Sequence, residues 1–421
     1  MPHITTHDVT LSNGLRVIVC PDNGAPVVNV TVMYKVGSHD EHRGKTGLAH
    51  LFEHLMFDNA EPGSDKQYDL YCTKAGGSNN AYTTFDYTCY HIDLPAHQVE
   101  LGYWLEAERM RGFRITEHAL QTQRSVVVEE INQNVFNQPY GTWRKALQAV
   151  AYDERSSYSW DVYGSADDVS GVSMDDARGF FERFYHPSNA VLCVSGDVSV
   201  DRAIDLANKH FGSIADAKQP IERTTFDDSF RRNGTHTVVE DNVPMSAVFV
   251  SIHLPGFLHN ELLDADLAST ILGVGRSSVL YKELVSEKRI ASGVGAYVDR
   301  RAHSTLLTMY AYASDETTQA ETLAQAIESA IRGFVLGDSQ LETAMNRMRT
   351  GHAAELQRVS GVADTVAHST LFWNDPVYAN TVLERYSSVT KQAVADILSR
   401  CGDPTQTVRV DVVPKELSHS S

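Results

Sequence analysis

The chain has 421 residues and a formal net charge of −18, a length that favours two domains of about 200 residues each. An acidic chain lacks the clustered Lys and Arg that nucleic-acid binding requires, and no apolar run approaches the ~18 residues that cross a bilayer. The five cysteines are scattered without a Cys-x-x-Cys pair, which argues against a zinc ribbon or a disulfide framework.

The first half of the chain mixes strands and helices. Alternating or β-branched stretches predict strands, and apolar residues at helical spacing predict helices. Strands are predicted within 8–20, where two short strands flank a Ser-Asn-Gly turn, at 27–34, within 77–92 as a pair joined at 84–86, and at 190–195. Helices are predicted at 46–58, 68–74, 101–111, 117–134, 143–152, 175–184 and 200–211.

The second half repeats a similar order after a polar, charged segment at 214–235 that has linker composition. Strands are predicted at 237–240, 246–253, 293–298, 305–312 and 407–413, and helices at 262–272, 278–288 and 317–333, followed by three more helical segments. We therefore predict an α+β fold of two duplicated domains, each an antiparallel-rich sheet packed with helices. Their predicted bounds are 1–215 and 236–421, with a linker at 216–235.

The most informative stretch is His50-Leu51-Phe52-Glu53-His54, on the helix predicted at 46–58. Two histidines four residues apart share one helix face, so both imidazoles can reach one metal ion. Catalytic zinc takes imidazole and carboxylate ligands and leaves a position for water, and Glu53 borders the same face as a candidate proton acceptor. The order is the inverse of the commoner His-Glu-x-x-His. The alternative, a polar helix face, predicts no third ligand.

A third ligand can come from Glu129 or Glu130, on the helix predicted at 117–134. Adjacent helical residues point about 100° apart, so only one of them can face the histidine pair. Three valines precede the pair, which indicates a largely buried helix where a carboxylate needs a cation or a metal. The residues alone leave open which glutamate it is, and two surface carboxylates are the alternative.

These residues resemble the M16 (pitrilysin) metallopeptidases, specifically the M16B group, and are similar to mitochondrial processing peptidase. The resemblance is carried by the His-x-x-Glu-His motif, the downstream Val-Val-x-Glu-Glu-Ile segment and the spacing between them. Further blocks in register lie at 12–17, 34–38, 47–50, 76–81, 184–190 and 196–198. The resemblance therefore covers nearly the whole chain.

The family resemblance implies a zinc metalloendopeptidase with one Zn²⁺ per chain. It implies His50, His54 and Glu130 as the zinc ligands and Glu53 as the general base. It also implies that the strand with Asn80, Ala81 and Tyr82 is a sheet edge to which an extended peptide substrate adds as a further strand; the alternative is an ordinary half-buried strand. The acidic balance is compatible with basic peptides, and the two domains would form half of a clam-shell chamber.

Two departures from the family pattern bear on activity. Gln123, seven residues before Glu130, stands where the family usually has a second glutamate. Ser286 and Gly293 stand where the family has an Arg and a Tyr that bind substrate and stabilise the oxyanion. We therefore predict the metal-bearing subunit of a heterodimer, weak or inactive without a homologous M16B chain that lacks the zinc motif and supplies the Arg/Tyr pair.

The sequence is also compatible with other assignments. A self-sufficient homodimeric M16B peptidase is one alternative, and a structural assembly subunit is another, although the complete ligand set argues against the latter. Residues 1–7 show neither the basic nor the apolar region of a signal peptide, so cytoplasm is the literal interpretation. The resemblance to exported pairs of M16B chains favours the periplasm, with the leader absent from this chain.

Overall fold

The computed structural model describes residues 3–58, 67–217, 219–223 and 225–415. Contacts between residues divide the chain into two units. The first comprises 1–129, 162–224 and 351–382, and the second comprises 130–161, 225–350 and 383–421. Each unit thus takes segments from both halves of the sequence, and the domain bounds 1–215, 216–235 and 236–421 stay a prediction.

The first unit contains a six-stranded sheet. Its strands are β1 (His7–Thr10), β2 (Arg16–Pro21), β3 (Val27–Tyr34), β4 (Ser78–Thr83), β5 (Thr88–Pro95) and β6 (Ala190–Gly196). Their order is β1-β2-β6-β3-β5-β4. Only β2 and β6 are parallel among the described neighbours; the remaining pairs are antiparallel. Strand β4 lies at one edge, paired with β5.

Eight helices lie in the first half of the described chain. They are α1 (Leu48–Asp58), α2 (Gln67–Lys74), α3 (Val99–Met110), α4 (Glu117–Ile131), α5 (Trp143–Ala151), α6 (Ala166–Ser170), α7 (Met174–Phe184) and α8 (Val200–Phe211). All seven predicted helices are present, with ends shifted by a few residues. The short α6 was missed, and the end of the helix predicted at 117–134 is a π-helical turn at Asn132–Phe136.

The second unit contains a five-stranded sheet. Its strands are β7 (Thr235–Asp241), β8 (Ala247–Pro255), β9 (Ala291–Asp299), β10 (Ser304–Ala313) and β11 (Thr407–Pro414). Their order is β7-β11-β8-β10-β9, with β7 and β11 parallel and the other pairs antiparallel. The second sheet thus repeats the pairing pattern of the first, one parallel pair within an antiparallel order.

The helices of the second half are α9 (Glu261–Gly273), α10 (Ala320–Arg332), α11 (Asp338–Glu355), α12 (Val359–Trp373), α13 (Tyr378–Ser387) and α14 (Lys391–Cys401). The prediction of three helical segments after α10 was wrong, since four are described. Asn374, with φ of +56°, ends α12 in the left-handed conformation that closes many helices. The helix predicted at 278–288 is largely π-helical, at Tyr281–Glu287.

Helix α12 belongs to the first unit although it lies late in the chain. Its Ala363 and Val366 pack in one buried cluster with Met33 of β3 and Cys193 of β6. Successive side chains of a strand point to opposite faces, so the other face of this sheet is left for α3 and α1. Gly102 of α3 sits so close that a Cβ there would lie 2.9 Å from Val30 Cγ2.

Candidate metal centre

A buried carboxylate holds the start of α1. Glu41 is 4% exposed; its Oε2 accepts the Gly47 N–H at 3.0 Å and its Oε1 accepts the Ala49 N–H at 2.8 Å. The first N–H groups of a helix have no acceptor within the helix and favour a negative partner. Helix α1 has no acidic residue in its own first turn. Glu41, which precedes the helix, supplies that negative charge and fixes the turn that carries His50. Glu41 was not among the residues predicted from the sequence to shape the site.

A glycine lets a second segment approach the same turn. Gly47 has φ of +83°, and a Cβ there would lie 2.4 Å from the Tyr163 carbonyl oxygen. The ring of Tyr163 stands nearly perpendicular to that of His50, with centroids 5.0 Å apart. Only a residue without a side chain fits both the backbone conformation and this spacing. Gly47 therefore allows Tyr163 to pack beside His50.

The two histidines of the motif meet one carboxylate. A side-chain nitrogen of His50, one of His54 and a carboxylate oxygen of Glu130 lie within 4.8 Å of one another. Within the described ranges no other group of three or more His, Cys, Asp or Glu is arranged this way. Glu130 is half-buried near the end of the continuous helix α4, whereas Glu129 is exposed. Two imidazoles and a carboxylate form a donor set that zinc takes.

The candidate base is held against the edge strand. Thr83, the last residue of β4, donates its hydroxyl to Glu53 Oε2 at 2.6 Å. The helix that carries the histidines is thereby tied to the strand that the family resemblance assigns to substrate. The contact between Thr83 and Glu53 was not predicted from the sequence, because nothing in the motif spacing signals a contact between residues 53 and 83.

Gln123 connects two helices. Its Nε2 donates to Asp58 Oδ2, at the end of α1, over 2.8 Å, so it braces α4 against α1. Glu130 Oε1, farther along the same helix, accepts a long 3.4 Å bond from Asn134 Nδ2. An amide at position 123 can thus orient the helices that present the ligands, although it brings no charge of its own.

The predicted substrate strand has different partners on its two faces. Asn80 is exposed, and its Oδ1 accepts the N–H of Ala81 at 2.9 Å. The Tyr82 hydroxyl donates to Asp364 of α12, and burial raises the pKa of both groups. The ring of Tyr82 therefore faces α12, while Thr83 faces α1.

The two positions that depart from the family pattern lie in the second unit. Ser286 is exposed in the π-helical segment, and Gly293 lies on β9. Among the described atoms within 4 Å, a Cβ at Gly293 would meet Tyr312 Cδ2 alone, at 3.7 Å. Ser286 carries only a short, uncharged hydroxyl and Gly293 carries no side chain, so neither matches the reach and charge of an Arg/Tyr pair. The nearby Arg289 has φ of +55°.

Two family models match the chain. One, described as Insulinase (Peptidase family M16), matches residues 16–158, and one, described as Peptidase M16 inactive domain, matches residues 171–348. Zinc protease PqqE of Helicobacter pylori is 30% identical over 365 residues, which cover 85% of this chain and 82% of that protein. The chain belongs to peptidase family M16. The first match contains every residue of the candidate metal centre.

Two further similar proteins agree with this assignment. A crystal structure of a protease from Helicobacter pylori superposes with a TM-score of 0.91 and 26% identity, covering 98% of this chain and 100% of that one. The probable mitochondrial-processing peptidase subunit beta of Arabidopsis thaliana is 20% identical over 404 residues, 94% of this chain and 76% of its own length. The predicted family, its similarity to mitochondrial processing peptidase and the two-domain α+β fold are confirmed. Across the described residues, no helix is long and apolar enough to cross a membrane.

Proposed function

We propose that this chain is a zinc-dependent endopeptidase that hydrolyses peptides or unfolded segments. The observation that carries the proposal is the convergence of His50, His54 and Glu130 within 4.8 Å, beside Glu53 on the same helix. Membership of family M16 and a 30% identical relative named as a zinc protease support it. One Zn²⁺ per chain would be held by one ring nitrogen from each histidine and one oxygen of Glu130.

The chemistry divides between the ion and the protein. Bound zinc supplies a Lewis acid that acidifies water and polarises a carbonyl. Glu53 acts as the general base: its carboxylate takes the proton of the attacking water and then delivers it to the nitrogen of the leaving amine. The bond from Thr83 keeps that carboxylate beside β4.

We propose that the peptide binds by adding to β4. This strand has a strand neighbour on one side only among the described residues, and pairing through the main chain binds an extended peptide with little sequence preference. Asn80, Ala81 and Tyr82 would contribute mainly backbone groups, because the Tyr82 ring packs on α12. The net charge of −18 favours basic peptides.

We further propose that the active site is split between two chains. Ser286 and Gly293 cannot supply the hydrogen bonds of an Arg/Tyr pair, and a transition state without such donors loses about 3 to 4 kcal/mol of stabilisation per donor. A homologous M16B partner without the zinc motif would supply them; a self-sufficient homodimer is the alternative. Export to the periplasm, rather than a cytoplasmic location, belongs to the same proposal and is tested by cell fractionation.

The test uses the zinc-loaded chain, a panel of quenched fluorescent peptides and elemental analysis. E130Q should lose zinc, and E129Q is its matched control because Glu129 is exposed on the same helix. E53Q should keep zinc and abolish turnover. Zinc bound equally by wild type and E130Q, or an E53Q variant as active as wild type, would overturn the assignment. Full activity of the chain alone would remove the partner while leaving the peptidase.

A further inference from the structure

Thr83 lies where the edge strand β4 contacts the candidate base Glu53. It ends the edge strand, and its hydroxyl lies 2.6 Å from Glu53 Oε2. Its backbone neighbour Tyr82 turns the opposite way, to Asp364 of α12. Strand alternation thus directs the Thr83 side chain to α1. The strand that has a strand neighbour on one side only, in the part of the chain that the structure describes, is also the strand that touches the candidate base.

The turn after Thr83 is tightly fixed. The Thr84 hydroxyl donates to the Tyr87 carbonyl oxygen at 3.0 Å and accepts the N–H groups of Tyr87 and Asp86 at 3.0 and 3.2 Å. The Thr84 carbonyl oxygen accepts the Ser38 N–H at 3.2 Å. Gly37 packs against the same oxygen, since a Cβ there would lie 2.4 Å from it. These hydrogen bonds hold the backbone next to Thr83 in place, and with it the hydroxyl that donates to Glu53.

A rigid donor changes what the Glu53 side chain can do. A glutamate has several rotatable bonds, and restricting them costs conformational entropy that the fold has to supply before reaction. A hydroxyl that donates to one carboxylate oxygen selects one orientation of the carboxylate plane. Catalysis by a positioned base depends on such orientation, and hydrogen bonds to charged groups are stronger than neutral ones.

We propose that Thr83 is a positioning residue that orients the Glu53 carboxylate for proton transfer. Because Thr83 belongs to β4, the edge strand of the described sheet, a peptide that pairs with β4 is aligned by the same strand that aligns the base. This inference rests on the proposed peptidase function. It adds that one residue of β4, Thr83, fixes the position of the base relative to the peptide bound on that strand. Thr83 would touch neither zinc nor the scissile bond; its effect passes through Glu53.

The test compares T83V, which removes the donor at nearly constant volume, with T83S, which keeps it. T73V, an exposed threonine on α2, is the matched control. Calorimetry measures binding of a peptide hydroxamate, whose hydroxyl can hydrogen-bond to a base carboxylate, to the zinc-loaded chain. We expect T83V to weaken binding about tenfold, the scale of one hydrogen bond to a charged group. T83S and T73V should stay within about threefold of wild type.

A double-mutant cycle isolates the route through Glu53. In an E53Q background, T83V should cause no further loss of hydroxamate affinity, because the group that Thr83 orients is already altered. An equal loss in both backgrounds, wild-type behaviour of T83V, or loss of zinc from T83V would each overturn the inference. With active enzyme, T83V should lower kcat and leave KM within about twofold.

The two proposals fail in different ways. If the peptidase assignment is wrong, wild type binds neither zinc nor hydroxamate and E53Q changes nothing. If only the inference about Thr83 is wrong, wild type binds both and E53Q weakens hydroxamate binding, while T83V matches T73V. Zinc content and hydroxamate affinity are measured on the chain itself, so the result does not depend on a partner subunit.

Discussion

Replacing Glu41 with alanine should loosen the helix that carries the zinc motif. Glu41 is buried and accepts two backbone N–H groups, from Gly47 and Ala49, at 3.0 and 2.8 Å. A hydrogen bond to a charged group contributes about 1.5 to 3 kcal/mol. Losing both should therefore lower the free energy of unfolding by about 3 to 6 kcal/mol, with the lower end applying if water reaches the two freed N–H groups.

The assay is urea unfolding of the metal-free chain at pH 7, followed by circular dichroism. E41Q keeps one acceptor oxygen and should lose about half as much as E41A. E117A is the matched control: Glu117 lies in the first turn of α4 but is exposed, so its removal should cost about 0.3 to 1 kcal/mol. If E41A unfolds like E117A, the buried carboxylate does not hold α1. Zinc affinity should fall with E41A, because His50 lies on the turn that loses its cap.

Three other perturbations test different parts of the fold. Burial lowers the pKa of His253 from 6.5 to about 4. As the pH falls from 6.5 to 4, the unfolded chain binds a proton that the folded chain does not, so the free energy of unfolding should decrease by about 3 kcal/mol. Thermal melts of H253Q should lack that part of the decrease. G47A should reduce melting temperature and zinc content far more than G44A, since both glycines have φ near +82°, but a Cβ at Gly47 would lie 2.4 Å from backbone, whereas one at Gly44 would have no described atom within 4 Å. Y82F removes the hydroxyl that donates to buried Asp364 and leaves the weak Cys89 Sγ donor at 3.8 Å, so it should cost about 1 to 3 kcal/mol of stability in a melt with peptide affinity unchanged. A matching loss of peptide affinity would instead place the Tyr82 ring in the substrate site.

Helical periodicity accounts for the part of the metal centre that the sequence could predict. Leu120, Val127 and Ile131 are buried on one side of α4, and Glu130 follows Val127 by three residues, which puts it beside that stripe. Glu129 follows exposed Val126 by three residues and is itself exposed. The residues alone left this choice open and the family resemblance selected Glu130, yet the burial stripe carries the same information.

Contacts between distant segments account for what the sequence could not predict. The cap from Glu41 and the bond from Thr83 join residues outside the motif to it, and no local period relates them. The number of helices after α10 was underestimated, and two of the breaks between them, at 356–358 and 388–390, contain neither Gly nor Pro, the residues that most often mark a helix end. Periodicity also predicts that α12 is a helix without saying which sheet its small residues cover.

The assignment of α12 to the first unit bears on how β4 can serve as a binding edge. An exposed edge strand invites unwanted pairing, and proteins restrain such edges. Here Tyr82 ties one face of β4 to Asp364 on α12, and Thr83 ties the other face to Glu53 on α1. The N–H of Ala81 meets the side chain of its own neighbour, Asn80, a local bond that an incoming carbonyl can replace. A peptide that pairs with β4 would thus meet a strand already ordered on both faces, so its binding energy would go into aligning the peptide rather than the protein.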